Sequence, residues 1–492
     1  MKCKFLRQTI YIFLLYIFIL QTWTIPVTNA TNTSNEAPGI LNATTIHVAV
    51  TKVTPADFAR SYEDARLISL AAGACAGTYK NKTTALEYEY LGEYGWEIYP
   101  QVINDQGITA NFMIATHPHM ADEDSMGIIA FRGSSSLGDW KQNFKFDQVN
   151  YGGSTPEEFK ETMNTPAKKG DSPKIHRGFA EYVQTAFKLK TDLNTDGKDD
   201  EIIDLLKQHP QMKVLITGHS LGGAAATLYA ERLVAMGVHK DQVPVVTFGA
   251  PAIGNEAFAK EYGNKIYLLR VRNTHDLVPK VLYAVGRNYT QFGKEIVFPL
   301  SNKYSDMSHP ISLYYDYAVK YYYDTLDKGI SLGYKKAIPN SKLQGTAPLI
   351  AVAVRPLGKQ SDPRYTPNLL RYISQEYKSI LPRYVFITNY NEPSNSDDLQ
   401  NLIKTASQNK ASYLLVLEAG LKPIKQTDRF YATLNQAVFN VPDGTLVTMG
   451  ANGSHVTYDK GIVQTTMTNL LNCEKELEAK LPFLNHERAK VW

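Results

Sequence analysis

Ser220 stands in the stretch KVLITGHSLGGAAA, Lys213 to Ala226, inside a Gly-x-Ser-x-Gly pattern. A serine hydroxyl is a poor nucleophile at neutral pH until a base takes its proton, so the pattern matters only in a setting that supplies one. The residues before it, Lys213 to Thr217, form a short apolar run that reads as a buried strand. Those after it, Ala224 to Met236, read as a helix with Ala226, Ala230, Leu233 and Val234 on one face and Gly237 at its end. Strand, tight turn and helix is the order that lifts a serine above a sheet, and Gly218, Gly222 and Gly223 give the helix room to approach the strand. The helix amino terminus would aim the Leu221 N–H at an oxyanion developing on an attacked carbonyl.

Such a serine needs an imidazole to carry its proton and a carboxylate to orient the imidazole, following it in the order Ser, Asp, His. Asp276, in RNTHDLVPK, comes directly after the apolar run KIYLLRV, which places it at the carboxyl edge of the same sheet. His309, in SDMSHPISLYYDY, is the histidine that follows Asp276 before the chain changes character near residue 336. His275 adjoins the aspartate and would point elsewhere, and His219 inside the turn reads as its structural support. His455 and His486 fall in the later part of the chain.

The elements that must position these groups form a largely parallel sheet. MGIIAF (126 to 131), KVLIT (213 to 217), VVTF (245 to 248) and KIYLLRV (265 to 271) are apolar without polar alternation, as strands covered on both faces are. Helical stretches separate them, which predicts an α/β fold. A helix is expected from Pro55 to about Ala76, then a hairpin turning at DQG between WEIYPQVIN and ITANFMIAT. Residues 336–347 break the pattern and read as a linker, and 348–485 as a smaller α+β domain, so the α/β domain spans 46–335.

At 492 residues, 43% hydrophobic and 20% charged, the chain has the composition of a soluble protein of two domains. Lys2, Lys4 and Arg7 precede the apolar run Ile10 to Leu20, and Thr28 and Ala30 follow as a small-residue cleavage site. Residues 1–30 therefore read as an export signal, with a retained anchor running to Val27 as the other reading, and 31–45 as a flexible leader. The protein is expected to be secreted, periplasmic or held at the cell envelope. Of 52 basic and 48 acidic residues, three basic and no acidic ones lie in that signal, leaving a net charge of +1 and no nucleic-acid partner. Cys75 and Cys473 are candidates for a bridge in an oxidising compartment, the alternative being two separate buried thiols. Asp192, Asn194, Asp196, Gly197 and Asp200 fall at calcium-loop positions 1, 3, 5, 6 and 9, but Ile203 stands where the bidentate Glu belongs. A solvated acidic turn is the other reading, and otherwise no metal or cofactor is expected.

Five segments in order resemble the class 3, fungal-type lipase family: AFRGSSSLGDW (130 to 140), HRGF (176 to 179), GHSLGG (218 to 223), TFGAPAIGN (247 to 255) and DLVP (276 to 279). The resemblance covers roughly residues 50–325 and implies the α/β-hydrolase fold. It implies Ser220, Asp276 and His309 as catalytic triad, Ser134 beside Leu221 as oxyanion hole, and Trp140 at the start of a lid, for which a plain loop is the alternative. The spacing of 33 residues between Asp276 and His309 is shorter than the family leads one to expect. The domain 348–485 is similar in element order to the amino-terminal domain of the Tol translocation protein and to lipoprotein regulators of cell-wall synthases, implying a docking role toward an envelope protein. The expected activity is hydrolysis of lipid acyl esters at a membrane or lipid interface through an acyl-enzyme. Phospholipase A1, and a non-catalytic envelope-binding protein on a hydrolase scaffold, are the alternatives.

Overall fold

Apolar runs without alternation bury both faces of their strands. Val214, Leu215, Ile216, Val245, Val246 and Phe248 are all fully buried. A computed structural model describes residues 53–79, 91, 96–116, 126–133, 147–166, 172–191, 200–284, 288–299, 308–357, 366–388, 399–424, 430–456 and 461–484. The expected signal (1–30) and leader (31–45), Ser134, Trp140, Asp192, Asn194, Asp196 and Gly197 lie outside the described residues.

The chain divides into two compact units. Among the described residues, one holds 102–111 and 131–309, and the other 53–101, 112–130 and 310–484. The strands up to residue 300 are, in chain order, β1 (Glu97–Asp105), β2 (Ile108–Thr116), β3 (Met126–Phe131), β4 (Gln148–Asn150), β5 (Lys174–His176), β6 (Lys190–Thr191), β7 (Asp200–Glu201), β8 (Lys213–His219), β9 (Val245–Phe248), β10 (Leu268–Asn273) and β11 (Lys294–Phe298). In the first unit four of them are sheet neighbours in the order β8-β9-β10-β11. Within the first unit β8, β9, β10 and β11 run parallel, so their carboxyl ends share one edge, where loops can gather side chains. The pairing of β6 with β7 sets Thr191 opposite Asp200, the one residue of the acidic calcium-like series that is described.

Asn255 ties that unit together through one side chain. Its Oδ1 accepts from the Phe258 N–H, capping the helix Glu256–Tyr262, and from the Lys174 N–H, both at 3.0 Å, while its Nδ2 donates to the Ser172 carbonyl.

The second unit has a six-stranded sheet of β12 (Ser341–Lys342), β13 (Ile350–Pro356), β14 (Tyr384–Phe386), β15 (Tyr413–Pro423), β16 (Phe430–Asn440) and β17 (Leu446–Val456), ordered β12-β14-β13-β15-β16-β17. The stretch read as a linker thus supplies the edge strand β12. Alternation along β13 divides two cores. Ile350, Val352 and Val354 pack with residues of helices Thr366–Ile380 and Ile462–Lys480, whereas Ala351 and Ala353 pack with Leu402 and Ala406 of helix Leu399–Gln408. Buried Gln436 accepts from the Tyr377 hydroxyl and donates to the Cys473 carbonyl, both at 2.7 Å.

Cys75 and Cys473 are separate buried thiols, the second of the two readings open for this pair. Cys75 sits in helix Pro55–Gly77 and Cys473 in helix Ile462–Lys480, where its Sγ meets the Asn452 amide at 3.3 Å. Burial pushes that thiol up to about 12, so it packs as a small apolar group.

In the same unit the buried carboxylate of Asp316, in helix Ile311–Ser331, accepts the backbone N–H groups of Ile462 and Val463 at 2.9 and 3.0 Å. It closes the amino terminus of helix Ile462–Lys480 in place of a cap from Gly461, which has no side chain. Burial pushes the carboxyl up to about 7, against the lowering pull of the N–H groups it accepts from.

Candidate active site

The turn at Ser220 is as tight as its glycines imply. Ser220 follows β8 and precedes helix Leu221–Ala235, with φ 59° and ψ −127°, a backbone region that disfavours any side chain. A Cβ on Gly218 would lie 2.1 Å from the Gly222 carbonyl oxygen, and one on Gly222 would lie 2.1 Å from that of Phe131, at the end of β3. The Ser220 N–H donates to the Phe248 carbonyl at 2.8 Å, which holds the turn against the end of β9. A serine at this position ordinarily caps its helix. Here the side chain makes no capping bond, so the half-buried hydroxyl is left for chemistry. The first N–H groups of a helix have no partner within it, and Leu221 is the first helical residue. Its proposed companion Ser134 lies outside the described residues.

Asp276 and His309 meet. The His309 Nδ1 lies 2.8 Å from Asp276 Oδ2, while Oδ1 of the same carboxylate accepts the Val278 N–H at 2.9 Å. The aspartate side chain is wholly buried and the histidine side chain is 24% exposed. A buried carboxylate on Nδ1 fixes the tautomer, leaving Nε2 to exchange a proton on the accessible side. Ser220 directly follows β8 and Asp276 comes three residues after β10, so both stand at the common carboxyl edge of the parallel strands. The segment before the histidine is held as well, because Asn273 Nδ2 donates to the Ser308 carbonyl at 2.7 Å.

His219 brings the two halves together. Its ring lies 4.5 Å from that of His309, centroid to centroid, and its Nε2 is 2.8 Å from the His309 carbonyl oxygen. Burial, and then the neighbouring His309, push its pKa down to about 3. Among the described residues no hydrogen bond links Ser220 Oγ to His309, a bond that in unliganded hydrolases often tightens only when substrate arrives. His275 is half-buried and takes no part in the cluster. Sequence reasoning gave His219 the turn alone and left Asn273 unnamed; both act on residues 309 and 308, far along the chain, which no local pattern reports.

On its far side the serine's helix carries two charged residues into the interior. Arg232 donates to the carbonyls of Gly153 and Thr155 and lies over the Phe159 ring at 4.4 Å. Burial pushes the neighbouring Glu231 up to about 8, so its carboxyl is largely protonated at neutral pH.

Residues 128–285 match the family model described as Lipase (class 3). Over these residues, about a third of the chain, it is similar to the class 3 lipases. The matched class 3 segment begins within β3, takes in the elbow and Asp276, and stops before His309. The chain is 27% identical over 228 residues to phospholipase A1-IIgamma of Arabidopsis thaliana, covering 43% of this chain and 48% of that protein. It is 32% identical over 162 residues to a lipase of Rhizomucor miehei, covering 32% and 38%. The chain thus spans about half the length, or less, of the curated relatives it matches. A solved structure of the Rhizomucor miehei triacylglyceride lipase covers 48% of this chain and 80% of its own, at 23% identity and a TM-score of 0.36.

Proposed function

We propose that the protein hydrolyses carboxylic esters of lipids through an acyl-enzyme on Ser220. The observation that carries this is the buried Asp276–His309 pair at 2.8 Å beside a strained serine turn whose hydroxyl does not cap its helix. In the proposed reaction His309 Nε2 takes the Ser220 proton as Oγ attacks the ester carbonyl carbon. The tetrahedral oxyanion accepts the Leu221 N–H, with Ser134 as second donor. The carbon–oxygen ester bond breaks, and the alcohol leaves with the proton from His309. Water, deprotonated by the same nitrogen, then releases the fatty acid.

Phospholipase A1 activity is the second reading, favoured by the similarity to the phospholipase A1 of Arabidopsis thaliana. We also propose export, resting on the Lys2 to Ala30 segment, with action at a membrane or lipid interface, and an envelope-docking role for residues 348–485. Among the described residues no helix is long and apolar enough to cross a membrane. The test is labelling by a fluorophosphonate probe and hydrolysis of triglyceride against phospholipid. Wild type should label and turn over one of the two, and Ser220→Ala neither. A wild-type protein that takes no probe, or a Ser220→Ala variant with full turnover, would overturn the proposal.

A further inference from the structure

We propose that His219 is a positioning residue for His309, acting through a hydrogen bond from its ring to the backbone of the base, and not merely a prop for the turn. The proposal rests on the hydrolase reading above.

A carbonyl oxygen only accepts, so the 2.8 Å contact between His219 Nε2 and the His309 oxygen requires the proton on Nε2. His219 is 5% exposed and lies flat enough against the His309 ring, at 34° between planes, to pack on it. A ring kept neutral by burial and by the adjacent imidazole carries one proton only, which fixes it as the Nε2–H tautomer. Three anchors then hold the base. Asn273 holds the carbonyl of residue 308 from the end of β10, Asp276 holds the ring, and His219 holds the carbonyl of residue 309. Of the three, only His219 belongs to the elbow, being bonded covalently to Ser220. It therefore sets the distance between the nucleophile and the nitrogen that must take its proton, on which proton transfer in such pairs depends.

The test compares two variants of the full-length protein. His219→Phe keeps a flat ring against His309 and loses the donor, whereas His219→Gln places an amide N–H at the same number of bonds from Cβ. We expect His219→Phe to lower kcat about tenfold or more with KM unchanged within about twofold, and His219→Gln to restore most of kcat. A His219→Phe variant with wild-type kcat, or a folded His219→Gln variant as slow as His219→Phe, would overturn the donor role. Near-UV circular dichroism reports folding. Should His219→Phe not fold, the wild-type protein decides, since nitrogen-15 spectra of its histidines at pH 7 must show residue 219 protonated on Nε2, and protonation on Nδ1 overturns the assignment. Ser220→Ala is the control: its inactivity beside unchanged His219 variants rejects the positioning role alone, and its full activity rejects the hydrolase reading.

Discussion

Replacing Ser220 by glycine should abolish turnover and stabilise the fold at once. A non-glycine residue held at φ 59°, ψ −127° carries about 1–3 kcal/mol of backbone strain. Glycine removes the Cβ that causes it, but its freer unfolded chain takes back about 0.5–1 kcal/mol. At the middle of both ranges the net gain is about 1 kcal/mol, and nothing is lost with the hydroxyl because it caps no N–H. Ser220→Ala keeps the Cβ and with it the strain, so the difference between the two variants isolates the backbone. For a unit of this size 1 kcal/mol corresponds to about 2–4 °C, so the midpoint of Ser220→Gly should lie about 2–4 °C above that of Ser220→Ala in differential scanning calorimetry. Equal midpoints, or a lower one for glycine, would refute the claim that folding energy is stored at Ser220.

Three further outcomes are expected. Asp276→Asn retains an oxygen for the Val278 N–H but turns an amide donor toward His309 Nδ1, so kcat on a soluble ester should fall by about 10³–10⁴ with the fold intact. Glu231 binds its proton more tightly folded than unfolded, since its pKa rises from 4.5 to about 8. Its contribution is therefore complete below about pH 4.5 and lost as pH climbs to about 8; Glu231→Gln should flatten that decline in urea unfolding curves, by an amount on the order of a few kcal/mol. Gln436→Leu leaves the Tyr377 hydroxyl and the Cys473 carbonyl buried without their partner, and should destabilise the second unit by about 2–4 kcal/mol in the same assay.

Local chemistry was legible in the sequence where a short pattern carries its own sterics. The elbow is such a case: Gly218 is required by a contact of 2.1 Å with the carbonyl oxygen of Gly222, on the next turn of chain. The hairpin at DQG is another, with Gln106 at φ 49° and Gly107 at φ 82° making the turn the tripeptide suggests. Buried strands such as β8 and β9 announced themselves by unbroken apolar runs. What spans the chain did not show. The contact of His219 with His309 joins residues 90 apart, and the state of Cys75 and Cys473 depends on two helices whose packing no motif encodes.

Asp316 has a bearing on where this chain can be cut. The carboxylate sits seven residues beyond His309 and faces N–H groups at 462 and 463, almost a hundred and fifty positions later. A truncation near residue 336 would look harmless in the sequence, because it falls between two patterned stretches. It would strip this acid of its helix and bare an apolar side of the helix that begins two residues after His309. A fragment ending there should be sticky in solution and show little of the proposed ester hydrolysis, for want of its own tail.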